Sequence, residues 1–342
     1  MRIITTFFIA LPAGWLFSYI QIPLPWMLGP LTAIMLFNSL SGNWARWPNF
    51  LRDLGMIILG YSMGRAVTPD AVHTITASLP IMMAITLLTI LFCTVSGYVT
   101  HRQTGISLSS SLLGSMPGGL SQMVLLCDEI KSSDMTVVTF MQTTRLLTVV
   151  FLVPFIAAHG LANIAETPFV LGPETIEYHW RTFWPSIALA PVGAALAYYF
   201  KLPTPCLLGP IFGVAIGVLS GFPAPPANPI LLIAAQVFVG IHMGNSISLT
   251  SLRQLGKVFP YAIGGAIALI AFTFTLAYGL TLISPASLLT GFLSTAPGGM
   301  AEMGITAVVL QADVSTVVSY QLFRLFLVLL SIPPVLKWRL KE

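Results

Sequence analysis

This sequence predicts an all-α integral membrane protein of two inverted-topology repeats, each of about five transmembrane helices plus a re-entrant or broken helical hairpin. Three observations predict it. Of 342 residues, 56% are hydrophobic and 8% charged, against about 25% charged in a soluble domain. Apolar runs near crossing length recur along the whole chain. The unusual residues of the first half return in the second at an offset of 180.

The runs fall at about 3–20, 25–41, 53–69, 76–98, 134–158, 182–200, 206–221, 229–249, 258–283 and 314–336. Each reaches or approaches the roughly 20 residues that cross about 30 Å of hydrocarbon as helix, which makes ten spans. Arg2 ahead of the first apolar core imitates a signal peptide. That run has a counterpart later in the chain and lacks a small-residue cleavage pattern, so it is read as retained. Cys93, Cys127 and Cys206 are widely spaced, which supports neither a disulfide framework nor a zinc site. The many prolines and glycines are compatible with helices, since both are commoner in transmembrane than in soluble ones.

Laid on itself, the sequence pairs "PLPWMLGP" (23–30) with "PTPCLLGP" (203–210), "LGYSMG" (59–64) with "VGIHMG" (239–244), and Pro117-Gly118-Gly119 with Pro297-Gly298-Gly299. One residue is then lost, and Asp134, Gln142 and Arg145 match Asp313, Gln321 and Arg324 at 179. Residues 1–159 form the first membrane repeat, 160–180 an external linker carrying Glu166, Glu174 and Glu177, 181–337 the second repeat, and 338–342 a cytoplasmic tail.

Residues 105–116 and 120–127 flank the first Pro-Gly-Gly, and at about 1.5 Å per residue neither piece crosses alone. Proline removes a donor and the glycines permit a sharp reversal, so the segment is either a re-entrant hairpin or one broken crossing helix. Basic residues arbitrate, because Lys and Arg collect in cytoplasmic loops. With a hairpin, one side receives Arg2, Arg46, Arg52, Arg102, Lys131, Lys201, Arg253, Lys257, Lys337, Arg339 and Lys341, and the other only Arg65 and Arg181. A crossing would split the second repeat's basic loops between the sides, so the hairpin is favoured. The halves then insert oppositely, both termini are cytoplasmic, and the Pro-Gly-Gly tips can meet near the midplane, as in many secondary transporters.

Arg145 and Arg324 lie well inside spans, where a guanidinium must face protein or water. Two readings stand for each: with Gln142 and Gln321 a turn earlier on the same face, it binds an anion, or it ties down backbone carbonyls freed by the hairpin. The Pro-Gly-Gly triplets carry the same pair of readings, an anion site at the start of a helix or a compact packing turn. Glu302 replaces Gln122 of the first repeat, and is either the ion-coupling residue, for H+ or Na+, or a structural partner of Arg324. Asp134 and Asp313 each open a span and read as helix N-caps. Gly60, Met63, Gly64 and Gly240, Met243, Gly244 read as close helix contacts.

The paired Leu-Gly-Pro, Pro-Gly-Gly and Gln-x-x-Arg motifs resemble the AbrB duplication family of bacterial membrane proteins over about residues 1–337. The resemblance implies an inner-membrane, multi-pass protein of the bacterial cell. Family members carry two conflicting labels, ammonia monooxygenase and regulator of gene expression. Oxygen chemistry needs a compact set of metal ligands or an organic cofactor. His73, His101, His159 and His179 fall in or beside loops, only His242 lies inside a run, and no two share a helix face at ligand spacing. The expectation is therefore no enzyme and no cofactor or metal. Direct nucleic-acid binding is not expected either, since no soluble domain is present to hold it. The sequence reading is a secondary transporter of a small anionic or carboxylate-bearing solute. Its substrate-binding candidates are Pro117, Gly118, Gly119, Gln142, Arg145, Pro297, Gly298, Gly299, Gln321 and Arg324. The alternative is a membrane ligand sensor with an indirect effect on gene expression. The expected partners are the solute, H+ or Na+ and the bilayer, and a homo-oligomer is compatible with either reading.

Overall fold

The computed structural model describes residues 2–42, 44–117, 123, 127, 133–161, 180–222, 224–247, 256–284 and 286–339. The described residues form thirteen α-helices: α1 (Arg2–Tyr19), α2 (Pro25–Ser41), α3 (Asn49–Gly64), α4 (Pro69–Thr104), α5 (Leu108–Ser115), α6 (Met135–Ile156), α7 (Trp180–Tyr199), α8 (Pro205–Leu219), α9 (Pro229–Ser246), α10 (Phe259–Ile283), α11 (Leu288–Thr295), α12 (Met300–Val309) and α13 (Val314–Arg339). A π-helical turn over Ala157–Leu161 extends α6. Gly118, Gly119, most of the second hairpin arm and most of the expected 160–180 linker lie outside the described residues.

Each of the ten apolar runs is helical, and six helical segments are long and apolar enough to cross a membrane: Arg2–Tyr19, Pro69–Thr104, Met135–Leu161, Pro229–Ser246, Phe259–Ile283 and Val314–Ser331. Helix ends and run ends differ where backbone chemistry sets the boundary. The run at 76–98 lies inside the 36-residue α4, which starts with Pro69 in its first turn and Asp70 beside it, an arrangement suited to a helix N-terminus. It is followed by Gly105 at φ +73. The run at 53–69 is shifted against α3, which starts after the extended Pro48 and stops at Gly64.

The chain folds into two compact units that do not follow its halves. One comprises Met1–Thr76, Ala158–Ser248 and Gly304–Thr316, the other Ala77–Ala157, Leu249–Met303 and Val317–Glu342. The first unit thus takes α1–α3 from one half and α7–α9 from the other.

Within that unit, equivalent contacts recur 180 residues apart. Leu24 and Thr204 are both in the left-handed region, at φ 52 and 45, immediately before the prolines that begin α2 and α8. Such backbone is costly for a residue with a β-carbon, and both copies retain it. The Gly-x-x-Met-Gly elements are contact faces crossed between halves. A β-carbon on Gly60 would stand 2.6 Å from the Leu207 carbonyl oxygen, and one on Gly240 would stand 2.4 Å from that of Met27. Gly64 and Gly244 make the corresponding approaches to the carbonyls of Ile211 and Leu31. Backbones this close gain dispersion contact where lipid-facing surfaces offer no hydrophobic drive.

A test follows from that approach. Gly60→Ala or Gly240→Ala forces the helices apart and should destabilise the protein by about 1–3 kcal/mol, as overpacking does. Gly264→Ala, with nothing within 4 Å of its β-carbon, should leave the melt nearly unchanged. Thermal melting in detergent measures both.

Candidate functional site

The second unit holds both helix breaks. The short helices α5 and α11 have eight residues each, about 12 Å of rise. Both begin with a serine N-cap: Ser107 accepts from the Ser110 N–H and Ser287 from the Thr290 N–H, each at 3.2 Å. Both end for the same steric reason. The residue before proline is disfavoured in helical conformation, and Met116 and Ala296, which precede Pro117 and Pro297, are extended at ψ 139 and 138.

A helix that stops leaves carbonyls without intrahelical donors, and in an apolar interior each unsatisfied one costs about 1–3 kcal/mol. Here the Gln-x-x-Arg elements supply donors. The Gln142 amide donates to the Leu113 and Met116 carbonyls at 2.7 and 3.1 Å. The Gln321 amide donates to the equivalent Leu293 and Ala296 carbonyls at 2.9 and 3.2 Å. Arg145 donates to the Met116 carbonyl and, at 2.7 Å, to Gln142 Oε1. Arg324 donates to the carbonyls of Thr295, Ala296 and Gly298 at 3.2, 2.7 and 2.9 Å, and to Gln321 Oε1. Gln and Arg lie three residues apart, so they share a helix face, and the Gln carbonyl orients the Arg fork while its amide holds the break. Of the two readings for these arginines, the carbonyl-tying one describes the observed hydrogen bonds.

The aspartates fix the start of the same helices. Asp134 Oδ1 accepts from the Thr136 N–H at 2.7 Å, and Asp313 Oδ1 accepts from those of Ser315 and Thr316 at 3.0 and 3.2 Å. The Asp134 N–H also donates to Ser110 Oγ at 2.6 Å, which ties the start of α6 to α5.

Glu302 is 7% exposed and lies in the first turn of α12. Its carboxylate folds back over the triplet, so that a β-carbon on Gly299 would fall 1.9 Å from Oε2. Pro297 sits at the turn between α11 and α12, with the Gly298 carbonyl held by Arg324. Pro117 is the last described residue of the first break before Gly118.

Beside Arg145 is a cavity of about 20 Å³, lined among others by Cys93, Ser96, Ser115 and Tyr261. That is room for about one water centre. Cys93 is 1% exposed and lines this cavity together with Arg145. Phe92 and Phe272, which occupy the same position in the two halves, stack on each other with centroids 4.6 Å apart. Sequence reasoning missed Cys93 because a lone thiol in an apolar run carries no periodic signal. It also missed a polar cluster in the first unit, where Arg52 pairs with Asp53 at 2.7 Å and lies 3.4 Å from His242 Nε2.

The family model described as "Transition state regulatory protein AbrB" matches residues 26–339. The chain belongs to the AbrB family. Two relatives span nearly their whole length with it. "Uncharacterized protein YhjN" of Bacillus subtilis (strain 168) is 29% identical over 96% of this chain and 91% of its own length. "Putative regulator AbrB" of Escherichia coli (strain K12) is 27% identical over 94% of this chain and 92% of its own.

The clasp in this AbrB family member predicts a specific loss. Gln321→Ala removes a donor to the carbonyls of Leu293, Ser294 and Ala296, of which Ala296 keeps Arg324, and should cost about 1–3 kcal/mol per carbonyl left unsatisfied, with faster amide exchange across α11. Ser331→Ala removes a hydroxyl that bonds only the Leu327 carbonyl one turn back, and should stay within about 0.5 kcal/mol. Melting and hydrogen exchange in detergent distinguish them.

Proposed function

We propose that this AbrB family protein is a secondary transporter of a small anionic or carboxylate-bearing solute. One observation carries the reading: equivalent Gln-x-x-Arg clasps hold equivalent helix breaks in one compact unit. Two cationic groups inside an apolar unit carry an electrostatic cost. A solute anion passing between them relieves it, and bonds with ionised partners are the strong ones. Irregular backbone in such a unit is tolerated where it is buried in protein or lines a wet cavity.

In this reading the halves are inverted repeats in the bacterial inner membrane, with both termini cytoplasmic and the Pro-Gly-Gly tips meeting at the solute path. Gly118 and Gly119 are assigned to it as the sequence mates of Gly298 and Gly299. Glu302, placed against Gly299, takes the coupling H+ or Na+. The protein is not an enzyme and does not touch nucleic acid. The name of the Escherichia coli relative, "Putative regulator AbrB", favours a second reading, a membrane sensor that binds the same solute and affects gene expression indirectly.

Counterflow in proteoliposomes separates the two. A charge-assisted hydrogen bond contributes about 1.5–3 kcal/mol, so Arg145→Gln or Arg324→Gln should lower solute affinity roughly ten- to hundredfold in protein that still elutes as one species. In a background without native cysteines, Gly298→Cys should be labelled alternately from each side as the solute gradient is reversed. Solute binding without flux, with labelling from one side only, would establish the sensor. No labelling from either side would reduce the triplets to packing turns and remove the transport reading.

A further inference from the structure

At one edge of the first unit, a cavity of about 460 Å³ is lined by Arg2, Ile3, Arg46, Trp47, Pro48 and Asn245. It is separate from the clasped breaks and plays no part in the proposed solute path. We infer that this pocket binds the phosphate headgroup of an anionic phospholipid, with the acyl chains lying along the outer face of α1.

The donors point to an anion. Arg2 and Arg46 are both exposed, and the Arg2 guanidinium is placed 5.6 Å from the Trp44 ring centroid, a cation–π contact that holds it near the cavity. Asn245 accepts from the Asn38 amide through its carbonyl at 3.0 Å, so among the described residues its NH2 donors are the part left for a ligand. Trp47 is 7% exposed, and its indole Nε1 is buried without a hydrogen-bond partner among the described residues, an arrangement that costs free energy unless a ligand supplies an acceptor.

The surroundings point to a lipid rather than a soluble ion. Ile3 lines the cavity itself, and Ile4, Phe8 and Trp15 continue from it along α1, exposed by 62, 66 and 65%. Their spacing places them on one helix face, an apolar track that a free phosphate has no use for. The basic pair is also absent from the other half, where Thr182 and Pro226 stand at the matching positions and Ala227 replaces Trp47. The fold therefore forms without these groups, and they are available for a ligand. Assigning the pocket to the cytoplasmic leaflet, where anionic lipids attract basic residues, rests on the orientation proposed above; the binding itself does not.

Native mass spectrometry of the detergent-solubilised full chain, titrated with phosphatidylglycerol, phosphatidylcholine or inorganic phosphate, tests the inference. The wild type should hold one phosphatidylglycerol through delipidation and no phosphatidylcholine. Arg2→Gln with Arg46→Gln should weaken that binding roughly thirtyfold, from about 1 kcal/mol for each basic residue near an anionic lipid. Arg102→Gln, on α4 and bonded to the Tyr98 hydroxyl, should not change it. Equal retention of both lipids, or equal loss in the Arg102 variant, would overturn the site. Displacement of the lipid by millimolar phosphate would reassign the pocket to a soluble anion. Counterflow measured on the same double variant keeps the two proposals apart, because its loss or survival does not alter the lipid count.

Discussion

The carbonyls released where α5 and α11 stop constrain the rest of the second unit. Proline forces Met116 and Ala296 out of helical conformation, and in an apolar interior the freed oxygens need donors from the protein. A guanidinium at that depth costs about 2.5–3.5 kcal/mol on the mildest scale, and an orphan carbonyl about 1–3. Each defect supplies what the other lacks. Arg324, 8% exposed, is tolerable because Thr295, Ala296 and Gly298 present oxygens, and the break is tolerable because Arg324 presents donors. The Gln three residues earlier completes the exchange by accepting from the Arg and donating to the break. The aspartate caps then place both side chains, since they fix where α6 and α13 begin.

The first unit meets the same solvent with different means. Its helices approach through glycines until backbone faces backbone. The left-handed residues ahead of α2 and α8 turn the chain sharply enough for α1 to lie along α2, and α7 along α8. There Gly29 and Gly209 lie against the carbonyls of Ala13 and Gly193. Helix contact of this kind needs no break to bring the backbones together, whereas the second unit contains two.

Much of this was legible in the sequence because its signals were chemical singularities. A proline before two glycines, an Arg eleven residues after an Asp, and their return in the second half identify the breaks, the caps and the clasps. Gln142 was ambiguous for a physical reason: an amide serves a solute or a carbonyl equally well, and only the position of the Leu113 and Met116 oxygens decides between them. The partition into two units was illegible, because hydropathy reports that a helix is apolar and not which apolar neighbour it chooses. Cys93 and the Arg52–Asp53–His242 cluster escaped notice likewise, since residues distant in sequence meet there and no spacing rule connects them.

Duplication also sorts the polar residues by role. A group present in both halves with the same partners, such as Ser107 and Ser287 or Gln142 and Gln321, is accounted for by the architecture it stabilises twice. A group whose mate differs is not. Glu302 stands where the first half has Gln122, Cys93 where the second has Thr273, and Arg52, Asp53 and His242 where the matching positions are Leu232, Ile233 and Ser62. Two copies alone would make the unit indifferent to direction, since each break would respond to a solute as the other does. Glu302, folded over Gly299 where the first half has Gln122, would remove that equivalence in the proposed transporter, because a coupling cation would meet a carboxylate at this position in one half and an amide in the other. Directional coupling needs such a difference, so in the proposed transporter the matched arginines would supply the field and the unmatched Glu302 its sense.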